Sequence, residues 1–391
     1  MEQNISANDR RVARGPGCRK GRDSAAYPAG MQAVPSARIK GRGAASNPEG
    51  RFESVRHHAE DDGWQDALLD EAAPRPRTEV TEERARSVIT RNDSPDIVFE
   101  QAMNPYRGCE HGCIYCFARP SHSYLNLSPG LDFETKIRAK SNLAEVLRAE
   151  LSKPGYVPKP INIGSNTDPY QPIERKWRLT RAALEVLAEC QHPCTIVTKN
   201  ALVERDLDLL APMARAKLVR VFVSVNSLDN HLASKLEPRA SAPHRRLQAI
   251  RALTEAGVPA GLLVAPVIPA LNDRDMEAVL ERAAEAGASM AGYTVLRLPW
   301  ELKALFREWL SIHVPQRAEH VMSLVQQMNG GRDYDSDFRT RMRGQGPFAE
   351  LLRRRFEVAA RRHGFARART LQLDVSRFLA PRPASPQGEL F

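Results

Sequence analysis

From about residue 96 onward, apolar and polar positions follow two rhythms. Short apolar runs bounded by polar or turn residues read as buried strands: Ile97–Phe99, Ile161–Gly164, Thr195–Thr198, Val219–Val225, Ala260–Ala265 and Gly292–Leu296. Between them lie stretches with apolar residues at helical spacing. Leu143, Val146, Leu147 and Leu151 mark one over 141–151. Thr180 is placed to cap a second that runs to about Cys190. Others cover about 203–213, 243–256 before Gly257, and 274–286 before Gly287. Six strands in strict alternation with helices predict an α/β fold: a parallel sheet with right-handed crossovers. Beyond residue 300 the pattern is helical, with one helix from Val314-Pro315 to Met328 and another from Phe348 to His363. A short strand is expected at Thr370–Leu373.

The first 90 residues lack this order. They are rich in Gly, Pro, Ser, Ala and Arg, without apolar periodicity, and read as a disordered tail. Trp64, Leu68 and Leu69 are placed for one short helix or docking segment. Residues Gly41–Glu53 are less random and read as a peptide lying across a folded domain. The expected organisation is 1–90 tail, 91–300 core, 301–380 helical extension and 381–391 loose tail.

Charge changes the picture in places. The net charge is +10, unevenly spread. Residues 1–56 carry 11 Lys/Arg against 5 Asp/Glu, residues 57–86 carry 4 against 9, and residues 339–369 carry 10 Arg against 2 Glu. Basic stretches bind phosphate backbones or simply form a solvated surface, and both readings stay open. No apolar run approaches the ~20 residues of a membrane span, and no secretory leader is visible. A cytoplasmic protein with reduced thiols is expected.

Three of the six cysteines fall in one run, Cys109-Glu-His-Gly-Cys113-Ile-Tyr-Cys116. A structural zinc site needs four ligands, and His111 is an awkward fourth because it is held inside the same loop. Inert buried cysteines do not cluster beside Gly108, His111 and Gly112. Thiolates are the usual ligands of iron–sulfur clusters, and a cubane normally takes four. Three ligands leave one iron open for a further group. Polar residues recur after the predicted strands: Asn104, Thr167, Asp168, Lys199, Ser224, Asn226 and Asn272. In parallel α/β folds and barrels the active site lies at those strand ends. Composition alone does not separate an open sheet from a barrel.

The C-x3-C-x2-C run resembles that of the radical S-adenosylmethionine (radical SAM) enzymes. The segments Asn104–Arg119, Thr167–Glu174, Lys199-Asn200, Ser224, and Leu236–Arg239 with Arg245-Arg246 resemble the spore photoproduct lyase-like branch. The resemblance covers about residues 97–300. It implies a partial (β/α)6 TIM-like barrel, a [4Fe–4S] cluster on Cys109, Cys113 and Cys116, and S-adenosylmethionine chelating the open iron. It implies Tyr115 near the adenine, Lys199 at the cofactor carboxylate, Ser224 hydrogen-bonded to the cofactor, and Thr167 and Asp168 at its amino group. Glu237 and Arg239 either bind ribose or carboxylate, or pair with each other. Reductive cleavage of the cofactor to a 5′-deoxyadenosyl radical is the implied chemistry, fed by a flavodoxin- or ferredoxin-like one-electron donor. Nucleic acid is one substrate class; a peptide or protein substrate, and an iron–sulfur sensor without turnover, are the rivals.

The chain departs from the lyase at one point. That enzyme uses a cysteine just before the second-strand pair as a hydrogen donor. Ser165 and Asn166 stand there in this sequence. Cys18, Cys190 and Cys194 are the remaining cysteines, and the last two are expected at the opposite face as small buried residues.

Overall fold

The computed structural model describes residues 39–52, 76–367 and 372–381. Trp64, Leu68, Leu69, Cys18, Thr370 and the chain beyond 381 lie outside the described residues. Eleven strands appear among them: β1 Glu79–Glu83, β2 Ile89–Arg91, β3 Gln101–Met103, β4 Tyr106–Arg107, β5 Lys136–Lys140, β6 Ile161–Ile163, β7 Cys194–Thr198, β8 Val219–Ser224, β9 Ala260–Val267, β10 Met290–Val295 and β11 Ala366–Arg367. The helices are α1 Leu131–Thr135, α2 Leu143–Leu151, α3 Glu174–Trp177, α4 Leu179–Glu189, α5 Leu207–Arg215, α6 Asn230–Leu236, α7 Pro243–Glu255, α8 Met276–Glu285, α9 Leu302–His313, α10 Ala318–Met328 and α11 Gly346–Arg362.

The main sheet runs β11-β10-β9-β8-β7-β6-β3-β2, with every neighbouring pair parallel except β2–β3. Six parallel strands, β3 and β6 to β10, stand side by side in chain order. A doubly wound sheet reverses its order at a switch point; this one does not, as in a barrel left open at its edge. The strands' buried Ile163, Ile196, Val221, Val223 and Leu262 share one core with Leu147 of α2, Leu187 of α4, Leu210 of α5, Ile250 of α7 and Leu280 of α8.

Several local expectations need correction. The first strand is Gln101–Met103 rather than Ile97–Phe99, because Gln101–Met103 is buried whereas Val98 stands exposed. Thr180 does not cap α4: its hydroxyl donates to the Pro169 carbonyl, and Glu174 accepts the Thr180 and Arg181 amides instead. Gln372 and Leu373 form no strand, and β11 takes the edge of β10. Within the expected N-terminal tail, β1 pairs in parallel with β5. Residues 39–52 pack on the domain, in line with the reading of Gly41–Glu53 as a peptide lying across it. Leu379 donates its amide to the Cys190 carbonyl.

A second sheet, β1-β5-β4, delivers the chain to Cys109 directly after β4. A second apolar cluster seats the cysteine loop. Cys113, Ile114 and Tyr115 pack with Leu236 of α6, with Leu305, Phe306 and Trp309 of α9, and with Val321 and Val325 of α10. The helical extension thus forms one wall around the loop.

Candidate functional site

Among the described residues, the five cysteines are free, with Cys109 and Cys113 buried and Cys116 half-buried. The loop folds back through Gly112 N to Cys109 O (3.2 Å) and Cys116 N to Cys113 O (3.2 Å). Gly112 sits at φ +65°, and a Cβ there would lie 2.5 Å from Glu134 Oε2. Only glycine combines that dihedral with that approach. Arg119, fully buried, fastens the loop from below. Its Nε donates to Cys113 O at 2.8 Å, Nη2 to Gly112 O at 3.0 Å, and Nη1 to Pro129 O and Gly130 O at 3.1 and 2.8 Å. It also pairs with the buried Glu134. Glu134 in turn accepts Gly43 N at 3.0 Å and Ala44 N at 2.8 Å, so residues 39–52 form a strap laid across the cysteine loop. A buried ion pair persists when every remaining donor and acceptor is satisfied, as here. Sequence reasoning gave the strap a place across the domain but assigned no role to Arg119 or Glu134.

Burial pushes all three loop thiols above their ordinary pKa. The Asp168 carboxylate adds to this at Cys109 and the Glu237 carboxylate at Cys113, while Lys199 opposes it at Cys113 and Cys116. Thiolates would form here only against added positive charge, which a metal centre supplies. Among the described residues no three Cys, His, Asp or Glu side chains converge as a single metal ion requires. His111 is engaged elsewhere: Nδ1 lies 3.3 Å from Asp168 Oδ2, and Nε2 is 3.1 Å from Asn200 Nδ2.

The residues expected at the cofactor sort into two groups. Asp168 is committed to protein: Oδ1 accepts Thr198 Oγ1 (2.7 Å) and Tyr170 N (2.9 Å), and Oδ2 accepts Lys199 N (2.7 Å). Burial raises its pKa, but His111 and these hydrogen bonds outweigh burial and hold it below the usual carboxylate value. The Thr167 hydroxyl donates to Tyr106 O at 3.1 Å. Glu237 and Arg239 do not pair with each other. Glu237 is clasped between the Tyr115 hydroxyl and the buried Arg246 guanidinium. Burial raises the Glu237 pKa, and Arg246 with Lys199 more than reverses the rise. Arg239 turns instead to Glu110, 3.1 Å away.

The second group is uncommitted. The Lys199 ammonium makes no hydrogen bond or ion pair among the described residues, and its Nζ stands 5.9 Å from the Tyr115 ring centroid. The Ser224 hydroxyl, buried at the end of β8, makes no hydrogen bond there either. Asn226 Nδ2 donates to the Tyr115 hydroxyl at 3.3 Å, and its buried Oδ1 has no partner. Asn226 was noted in the sequence as a polar residue past a strand, and its orphaned oxygen gives it a place at the site. Cys194 opens β7, at the end of the sheet opposite the cysteine loop.

Residues 103–283 match the family model of the radical SAM superfamily. The chain carries a radical SAM domain. That domain belongs to radical SAM enzymes and leaves the reaction unspecified. An uncharacterised protein of Mycobacterium tuberculosis is 39% identical over 220 residues, 56% of this chain and 65% of that protein, so the match falls just short of two thirds of its length. A protein of Pseudomonas phage M6 named radical SAM Nalpha-GlyT isomerase is 26% identical over 198 residues, 48% of this chain and 38% of its own. Spore photoproduct lyase complexed with dinucleoside spore photoproduct is 19% identical, with a TM-score of 0.49 over 74% of this chain and 80% of that one. The radical SAM domain implies a [4Fe–4S] cluster and S-adenosylmethionine. No helix among the described residues is long and apolar enough to cross a membrane.

Proposed function

We propose that this protein is a radical SAM enzyme with one [4Fe–4S] cluster on Cys109, Cys113 and Cys116, acting on nucleic acid. The observation that carries the reading is the sorting of polar groups around Tyr115. Lys199 Nζ, the Ser224 hydroxyl and Asn226 Oδ1 are a cation, a hydroxyl and an acceptor left open beside the cysteine loop. An amino-acid cofactor needs such a set, with Lys199 for its carboxylate and Asn226 Oδ1 for its ammonium. The commitments of Asp168, Thr167, Glu237 and Arg239 to protein partners give them supporting roles. Glu237 and Arg246 lock the Tyr115 ring, and Asp168 fixes Lys199 by its amide and His111 by its ring.

When bound, the cluster and cofactor supply a one-electron cleavage of the sulfonium that yields a carbon radical able to take hydrogen from a substrate. The electron comes from an external flavodoxin- or ferredoxin-like donor. The apolar wall of α6, α9 and α10 around the loop excludes water from this chemistry.

The net charge of +10 supports a polyanionic substrate. The arginine-rich stretch supports it less than its composition suggests. Arg339, Arg341, Arg353, Arg354 and Arg355 are all in ion pairs with carboxylates. Among the described residues Arg343, Arg361 and Arg362 have no such partner.

Anaerobic reconstitution tests the assignment. It should give about four irons per chain and a broad absorbance near ~400 nm, the expectation for a thiolate-ligated cluster. Reductant and S-adenosylmethionine should then give 5′-deoxyadenosine. A Cys113→Ala chain that keeps its full cluster and cleaves the cofactor would refute the assignment.

A further inference from the structure

Folded surfaces bury most of their aromatic residues, yet five lie open here beside guanidinium groups. Tyr124 is 71% exposed, Trp300 67%, Phe52 51%, Phe338 46% and Phe117 42%. The Arg51 guanidinium lies 4.5 Å from the Trp300 ring centroid, 5.2 Å from Phe52 and 5.4 Å from Tyr124. The Arg297 guanidinium lies 4.7 Å from Phe117, and that of Arg341 4.5 Å from Phe338.

These stations are tied to one another and to the cysteine loop. Phe117 follows Cys116 directly. Arg51 Nη2 donates to Pro120 O at 3.3 Å, in the turn after that loop. Arg297 and Trp300 lie in the segment after β10, at the C-terminal end of the sheet where the site is. Arg297 Nη1 reaches Met342 Sδ at 3.4 Å, which brings in the loop of Phe338 and Arg341.

Two of the three arginines are already neutralised, Arg51 by Glu301 and Arg341 by Asp96. What the rim offers is therefore mainly flat stacking surface rather than net charge. An acidic protein face would need the charge. An unpaired base needs ring and guanidinium planes, which both stack bases without regard to sequence. A duplex hides its base faces, and chemistry on a base requires that base outside the stack.

We propose that this arginine–aromatic rim, Trp300, Tyr124, Phe52, Phe117 and Phe338, is a stacking platform for unpaired nucleotides entering the radical site. The inference rests on the nucleic-acid reading above and adds where and in what form the strand is held.

The test uses the full chain with its cluster and fluorescently labelled 15-nucleotide DNA and RNA, each as single strand and as duplex, with anisotropy read across a salt series. Single strand should bind at least about 10-fold more tightly than duplex. Trp300→Ala and Tyr124→Ala should each weaken single-strand binding by about 5- to 150-fold, the range expected for losing one stacked base. The salt slope should not change, because neither substitution removes a cation. Both side chains are exposed, and unchanged iron content and melting temperature confirm an intact fold. Wild-type binding with both variants unaffected overturns the platform and leaves the nucleic-acid reading standing. No binding of any nucleic acid at low salt overturns both. Variants that keep nucleic-acid affinity but are reduced more slowly by a flavodoxin overturn the platform in favour of a protein-docking face.

Discussion

Replacing Gly43 by alanine should loosen the cysteine loop from the outside. A Cβ on Gly43 would lie 1.8 Å from Gly112 O and 3.0 Å from Gly112 C. Ordinary contact needs about 3.5 Å, so strap and loop must separate by roughly 1.7 Å. That displacement takes Gly43 N and Ala44 N, now 3.0 and 2.8 Å from the Glu134 carboxylate, out of hydrogen-bond range. Hydrogen bonds to a charged group contribute about 1.5–3 kcal/mol each, so the strap loses about 3–6 kcal/mol of docking. The population of open strap then rises by at least about 100-fold. The assay compares reconstituted wild-type, Gly43→Ala and Gly41→Ala proteins. Iron per chain is measured, then the decay of the ~400 nm band in air and with a chelator. Gly41 is the control: its Cβ would meet nothing within 4 Å, although φ +80° carries some strain. Gly43→Ala should lose its cluster at least about 10-fold faster than wild type, with Gly41→Ala close to wild type, if strap opening limits access. Equal decay in Gly43→Ala and wild type would show that the strap does not protect the loop.

Lys199→Met should keep the cluster but bind S-adenosylmethionine about 10- to 150-fold more weakly, as expected for one charge-assisted bond, and unchanged affinity by equilibrium dialysis would remove Lys199 from the cofactor site. Burial holds the His192 imidazole down at about 4, below its ordinary 6.5. The unfolded chain therefore binds more protons than the folded one between pH 6.5 and about 4, so stability from this group is full above 6.5 and falls by up to about 3 kcal/mol on acidification to 4. His192→Gln should flatten the urea-midpoint profile over that window, and an unchanged slope would contradict the sign or the group. Ser165 accepts a hydrogen bond from Asn104 Nδ2 at 3.0 Å, and a serine O–H bond is far too strong to hand a hydrogen atom to a carbon radical. The protein should not convert spore photoproduct to two thymines over many turnovers; doing so in a product assay would show that this position was misread.

The parts of the molecule legible in the sequence are those set by neighbours along the chain. The cysteine run declares itself because its ligands lie within eight positions, and each parallel strand declares itself as a short apolar run between turn residues. Helix α6 went unread because it is only seven residues long, too short to show a period, although its Asp229 cap accepts the amides of His231 and Leu232. The site residues were harder for a different reason. Asp168 and Lys199 follow strands and Glu237 and Arg239 follow α6, yet sequence gives each charged group the same claim on a zwitterionic ligand. What separates them is how many protein donors or acceptors converge on each in the fold. Glu237 and Arg239 lie two residues apart, but the Pro238 turn sends one inward to Arg246 and the other across to Glu110. A buried carboxylate whose lone pairs are filled is a clamp, whereas a buried acceptor left empty costs free energy until something arrives. By that criterion the proposed cofactor is to be sought at Asn226 Oδ1 before Asp168, although Asp168 is the residue a motif would choose.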